Sequence, residues 1–329
     1  MRLFRPCYFL LLVLLLLIAP VHAAERELSV SLWLSQGQTD WQHNAAVLNP
    51  IWGNPTSELR YEKIDSRVLE VAFTQPFNNS DLYIAMGGGV IDRGVLVDDD
   101  YVSASGATYF GASTSGAHRI SSTYSDITGS GLFYLNAEYH PALLRVALGR
   151  VPLQGYVGLQ YWKEEYVAQG IQQIECTDPT ASNGRTFCNP VGFSGYNDQV
   201  VITNKLIWTS WYLGGKLRLP LGTQTSLHLK MHYSPFSYLS NDDIHHLRAD
   251  LQQSPSFSMS GFGQALDLQV DWRYEWQDWG QLSLGYRYWE RKVTDGNWYA
   301  YGLSGTSTAP LVEMRTTRQG LNLGLHVLF

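Results

Sequence analysis

Apolar and polar residues alternate with a period of two along most of the chain. Leu266, Leu268, Val270, Trp272, Tyr274 and Trp276 are separated by Asp267, Gln269, Asp271, Arg273 and Glu275. Leu282, Leu284, Tyr286 and Tyr288 alternate with Ser283, Gly285 and Arg287. Leu227, Leu229, Met231 and Tyr233 alternate with His228, Lys230 and His232, and Leu321, Leu323, Leu325, Val327 and Phe329 with Asn322, Gly324 and His326. Successive strand side chains point to opposite faces, so each segment has one apolar and one polar face. The pattern predicts ten strands, near 27–35, 57–75, 81–102, 120–148, 154–170, 199–219, 224–242, 256–276, 280–300 and 312–329. No linker or composition break divides them, and residues 24–329 read as one all-β domain.

A soluble sandwich also alternates, but three details favour a membrane barrel. The apolar faces carry Trp and Tyr at their ends, as an interfacial girdle does. The polar faces carry Asp267, Asp271, Arg273 and Glu275, which suit a polar lumen better than a dry core. The last strand ends on Phe329, an ending that resembles the C-terminal signal of bacterial outer-membrane barrels. The expected fold is a closed ten-stranded antiparallel transmembrane β-barrel, its first strand paired with its last, since lipid cannot satisfy an open edge. Short turns at Leu219-Pro220-Leu221-Gly222 and Gln277-Asp278-Trp279-Gly280 mark the periplasmic end, and long polar links form extracellular loops.

Composition agrees. Charged residues make up 16% of the 329 residues, below the roughly 25% of a soluble domain. A formal net charge of −6 excludes a basic nucleic-acid binder. The one long apolar run is at the start, where Arg2 and Arg5 precede a Leu-rich stretch and Val21-His22-Ala23. It reads as a signal peptide over residues 1–23. Cys7 precedes the apolar stretch, so no lipoprotein is expected. The remaining cysteines, Cys176 and Cys188, flank a polar stretch, and in an oxidising compartment such a pair closes a loop. No metal site is expected.

A ten-stranded barrel is too narrow for a general porin, which places function at the mouth. Two acidic clusters fall there, Asp98-Asp99-Asp100 and Asp242-Asp243-Ile244-His245. Residues i and i+2 of a strand share a face, so Asp98 points with Asp100 and Asp243 with His245. A carboxylate orients an imidazole and raises its basicity, and two close carboxylates retain a proton. Such pairs can hold and activate a water, although ordinary acidic loop tips have the same spacing. The parity of Leu227–Tyr233 and of Leu82–Met86 sends both pairs outward unless a bulge flips each strand. Pro235 and Gly87-Gly88-Gly89 are the expected sites.

Ser57-Glu58-Leu59-Arg60-Tyr61-Glu62, Val97 to Tyr101, and Tyr233 to His245 resemble the omptins, ten-stranded outer-membrane proteases. The resemblance extends weakly over the whole mature chain. It implies an aspartate/histidine endopeptidase in which Asp243 orients His245. His245 and Asp98 hold the attacking water, and Asp100 supports the tetrahedral intermediate. Ser122 matches an accessory serine. The family's preference for basic cleavage sites uses acids that here correspond to Asn241 and, near the top of the first strand, to Asp40 at most. The resemblance also implies that activity needs lipopolysaccharide, with no other cofactor.

The expected partners are outer-membrane lipids, lipopolysaccharide and a peptide or protein substrate, for a monomer with its site facing outward. A non-catalytic adhesin or surface-binding barrel is the main alternative, and a lipid-acting barrel enzyme a third. The remaining residues read plainly. His228, His232 and Lys230 are lumen fillers, Arg60, Arg273 and Arg287 partners of lumen acids, and the Trp and Tyr residues mostly girdle.

Overall fold

A computed structural model describes residues 26–110, 118–148, 151–177 and 188–329. The expected signal peptide and the middle of the Cys176–Cys188 loop lie outside the described residues. Among the described residues, thirteen strands, one short α-helix and two single-turn 3-10 helices, Ala45–Val47 and Ala142–Leu144, follow in chain order. The strands and the α-helix are β1 Glu27–His43, β2 Trp52–Phe77, β3 Ser80–Val102, α1 Ala104–Phe110, β4 Arg119–Ile127, β5 Ser130–His140 and β6 Arg145–Leu148. Then come β7 Val151–Cys176, β8 Ser194–Pro220, β9 Thr225–His245, β10 Phe257–Gln277, β11 Gly280–Val293, β12 Gly296–Gly302 and β13 Gly305–Leu328.

The pairing order is a ring of ten antiparallel walls. It runs β1, β2, β3, β4 continued by β5, β7, β8, β9, β10, β11 continued by β12, and β13, which returns to β1 with Glu27 opposite Leu328. The expected segment 120–148 is interrupted where Gly129 adopts a φ of +73°. β1 runs to His43, well past the expected end at 35, and α1 was not expected. The ends nearest Phe329 are joined by tight turns, including 221–224 and Asp278–Trp279. At the turn after Phe77, Asn78 and Asn79 have φ of 46° and 65°, which asparagine tolerates.

Alternation sorts the faces as expected. Leu28, Val30, Leu32, Leu34, Leu321, Leu323 and Leu325 are exposed on the outside, while Ser31, Trp33, Ser35 and Asn322 are buried inside. Several interior charges are paired. Glu70 meets Arg287 at 2.8 Å, Glu138 meets Lys230 at 2.7 Å and Asp267 meets His232 at 2.6 Å. Glu164 meets Arg318 at 2.9 and 2.8 Å. Arg273 reaches Glu27 at 3.2 Å. Arg60 differs from expectation. It lies on the outer face with Glu58, Glu62 and Asp99, above the apolar band, so it is no lumen partner.

The tryptophans also correct the girdle reading. Trp33, Trp41, Trp162, Trp208, Trp289 and Trp298 are buried. Trp289 lies 4.4 Å from Trp162, 4.7 Å from Trp33 and 4.8 Å from Tyr134, ring centre to ring centre. This aromatic layer packs across the interior between the looped end and a polar cavity of about 300 Å³ lined by Glu70, Glu138, Lys230 and Arg287.

Bulges set which residues face in at that end. In β9, Trp211 of β8 pairs with Phe236 but Leu213 pairs with Tyr233, so β9 carries one extra residue around Pro235. The pairing with β10 shifts at the same place. Below it Ser226, His232 and Ser234 are buried, and above it Ser237, Leu239, Asn241 and Asp243. The flip expected at Pro235 is thus present. In β3 the flip lies elsewhere. Asp65 pairs with Arg93 and Ser66 with Ile91, so the extra residue is Asp92, held by Arg67 at 2.8 Å. Gly87-Gly88-Gly89 stay in register with Glu70, Leu69 and Val68. Gly87 instead gives room to a ring, because a Cβ there would lie 2.2 Å from Tyr134 Cζ. β2 carries a third bulge at Lys63, whose φ is 53°.

Cys176 and Cys188 form a disulfide with Cα atoms 5.9 Å apart. Replacing both with serine is expected to cost about 3 kcal/mol, the chain-entropy value for a loop of this length. A lower urea midpoint at unchanged slope would register it.

Candidate active site

The looped end holds a cavity of about 420 Å³. Asp98 and Asp100 of β3 and His245 of β9 all line it, as do Ser57 and Leu59 of β2. The bulge at Asp92 puts Asp98 and Asp100 on this face. They pair across the sheet with Leu59 and Ser57, which are themselves buried. The Ser57 hydroxyl donates to Asp98 Oδ1 at 3.4 Å.

His245 Nε2 lies 3.1 Å from Asp243 Oδ2. As a charge-stabilising pair this fixes Nε2 as the protonated nitrogen and leaves Nδ1 as the acceptor. Asp243 is fully buried, and its Oδ1 has no partner. The backbone holds the pair from above. The His245 N–H donates to Ser256 Oγ at 3.0 Å, and the Ser256 N–H to the Asp243 carbonyl at 3.0 Å. The Phe257 ring meets the imidazole edge-on at 4.8 Å.

These groups sit above the outward apolar band, and their proton affinities follow from crowding. Burial pushes Asp98 up to about 8, reinforced by Asp100 and Asp243 and opposed by His245. Burial also pushes Asp100 up to about 6, with His245 and Arg248 pulling back. For His245, burial favours the neutral ring but is outweighed by the charge and hydrogen bond of Asp243 and by Asp98. Its pKa is therefore raised. Two carboxyls crowded together retain a proton at neutral pH, beside a histidine made more basic by a buried carboxylate.

The four residues expected to act together are therefore brought together, and three other expected residues are not. Asp40 shares the outward phase of β1 with Leu32 and Leu34, accepts from Gln38 Nε2 at 3.3 Å, and does not line the cavity. Ser122 pairs with Asp99 across β3 and β4, so it sits on the face opposite Asp98 and Asp100. The register puts Ser121, not Ser122, beside Asp100. Asn241 faces inward but is spent in an amide pair, donating to Asn204 Oδ1 at 2.8 Å and to the Lys205 carbonyl at 3.2 Å.

The crystal structure of the outer membrane protease OmpT from Escherichia coli has the same fold. It superposes with a TM-score of 0.69 over 95% of this chain and 100% of its own, at 13% sequence identity. A FadL homologue of Pseudomonas aeruginosa aligns over 92% of this chain and 90% of its own, at 9% identity and a TM-score of 0.30. The outer membrane protein AlkL aligns over 94% of this chain and 95% of its own, at 10% identity and a TM-score of 0.29. Those two scores are too low to carry an argument. No protein-family model and no curated protein sequence matches the chain.

Several cavity residues carried no signal in the sequence. Trp41, His43 and Trp298 line it, although alternating aromatics had read as girdle. Arg248 also lines it, from the loop after β9, and is paired with Asp250 at 2.7 Å. Its identity as a cavity residue depends on how that loop folds back over the mouth.

Proposed function

We propose that the chain is an omptin-like endopeptidase, a transmembrane barrel of the bacterial outer membrane with its mouth outward. The observation that carries this is the sharing of one cavity by Asp98, Asp100 and His245, with Asp243 bonded to the imidazole. Neutral His245, its Nε2–H given to Asp243, takes a proton from water at Nδ1. The water oxygen attacks the peptide carbonyl carbon. The proton shared by Asp98 and Asp100 supports the carbonyl oxygen as its charge grows. The imidazolium, stabilised by Asp243, passes its proton to the leaving amine, and the carbonyl proton returns to the carboxyl pair. The nucleophile is water, so serine-directed acylating reagents should leave activity intact. Lipopolysaccharide is proposed as the required lipid.

The test is cleavage of a peptide library by purified protein in micelles containing lipopolysaccharide. Wild type that cleaves nothing favours the adhesin-like alternative. The pH profile supplies a second check. His245 must be neutral, so the rate falls below its raised pKa. The carboxyl pair must keep one proton, so the rate falls again as Asp98 ionises at about 8. A narrow bell is expected. A profile flat from pH 6 to pH 10, values spanning the usual range of both limbs, contradicts this scheme.

A further inference from the structure

We infer that the cavity beside His245 is a subsite for a large uncharged aromatic side chain next to the scissile bond, seated against Trp298 and His43. The inference rests on the peptidase reading above and names its substrate class.

The cavity is lined by Asp98, Asp100 and His245 and by a wall of rings, Trp41, His43, Phe257 and Trp298. The rings of this wall form a run. His43 stacks on Trp298 at 4.0 Å with an interplanar angle of 7°. Trp298 lies on Phe257 at 5.1 Å, and Phe257 meets His245 at 4.8 Å. An aromatic side chain added to this run gains offset or edge contacts with rings already fixed by packing. Its backbone then lies within reach of the base.

The wall carries no carboxylate for a cation, which finds there only the faces of rings. Its one titratable ring, His43, is kept neutral, since burial pulls it down to about 3. Asn241, inward-facing on β9, is an amide closed off by Asn204. Arg248 lines the same cavity with its guanidinium paired to Asp250 at 2.7 Å. A lysine or arginine side chain would lose water and find no carboxylate on this wall.

The experiment uses full-length protein in micelles containing lipopolysaccharide and decapeptides that differ only at one central residue. In the His245→Ala background, calorimetry compares central Phe with central Arg. Phe is expected to bind tighter by about tenfold or more, the size of one unpaired desolvated group. Trp298→Ala in the same background is expected to erase that difference. With wild type, kcat/KM should favour Phe in the same sense. Arg binding as tightly as Phe, neither peptide binding, or a Phe preference untouched by Trp298→Ala overturns the inference. Binding preference without any cleavage supports the subsite and overturns the peptidase reading. Cleavage that favours Arg does the reverse.

Discussion

His245→Ala is expected to slow peptide cleavage by about 10²–10⁴-fold, the range for a lost general base. The effect should fall on kcat, because the imidazole is proposed to act on the water and the ring wall to hold the peptide. Asp243→Asn should also be severe. The amide still fills the space, but it neither holds Nε2 protonated nor neutralises the imidazolium. Asp243 is wholly buried with one oxygen unpaired, and the hydrogen bond of its other oxygen goes to the ring 3.1 Å away. Rates for the two variants and the double variant decide the matter. If the residues act as one unit, the double variant is little slower than His245→Ala alone. A His245→Ala protein as fast as wild type removes the histidine from the mechanism.

The second large effect is on stability. Glu164 and Arg318 are both fully buried and meet through two parallel hydrogen bonds of 2.9 and 2.8 Å. The Tyr166 hydroxyl bonds to both partners. Glu164→Gln leaves the guanidinium buried without its counter-charge and is expected to cost about 3–5 kcal/mol. Replacing both residues with Leu and Met should cost far less, since two desolvation penalties vanish together. Urea unfolding in micelles, followed by tryptophan fluorescence, separates the outcomes. A single variant as stable as wild type would mean that water reaches the pair.

The wall positions were legible because period two is a strong signal wherever one face is apolar. Leu266 to Trp276 and Leu282 to Tyr288 sort as their alternation requires. The same phase, carried up β1 from Leu28, already sets Asp40 outward, so its place was readable from Leu32 and Leu34. Ser122 was not readable in this way. Whether Ser121 or Ser122 faces Asp100 depends on the register between β3 and β4, which is set by pairing partners far away in sequence. Pro235 announced its bulge by lacking an N–H. Asp92 did not, because Asp-Arg is an ordinary polar pair until Arg67 is seen to hold it. The aromatic wall was hidden because a tryptophan at a strand's end reads equally well as an interfacial anchor or as an inward ring.

The bulges at Lys63, Asp92 and Pro235 give the barrel two reading frames. Below them, the side-chain code is written for an apolar exterior and a paired interior. Above them, on β2, β3 and β9, the same strands are read one residue out of step, and the shifted frame spells the mouth. An insertion in a strand thus works as a frameshift does in a gene: it leaves upstream text intact and gives everything downstream a new meaning. The lower frame must stay in step with the membrane, while the upper frame is free to be rewritten. Chains with almost no sequence in common can therefore share the lower storey and differ in what the upper one cuts, binds or ignores.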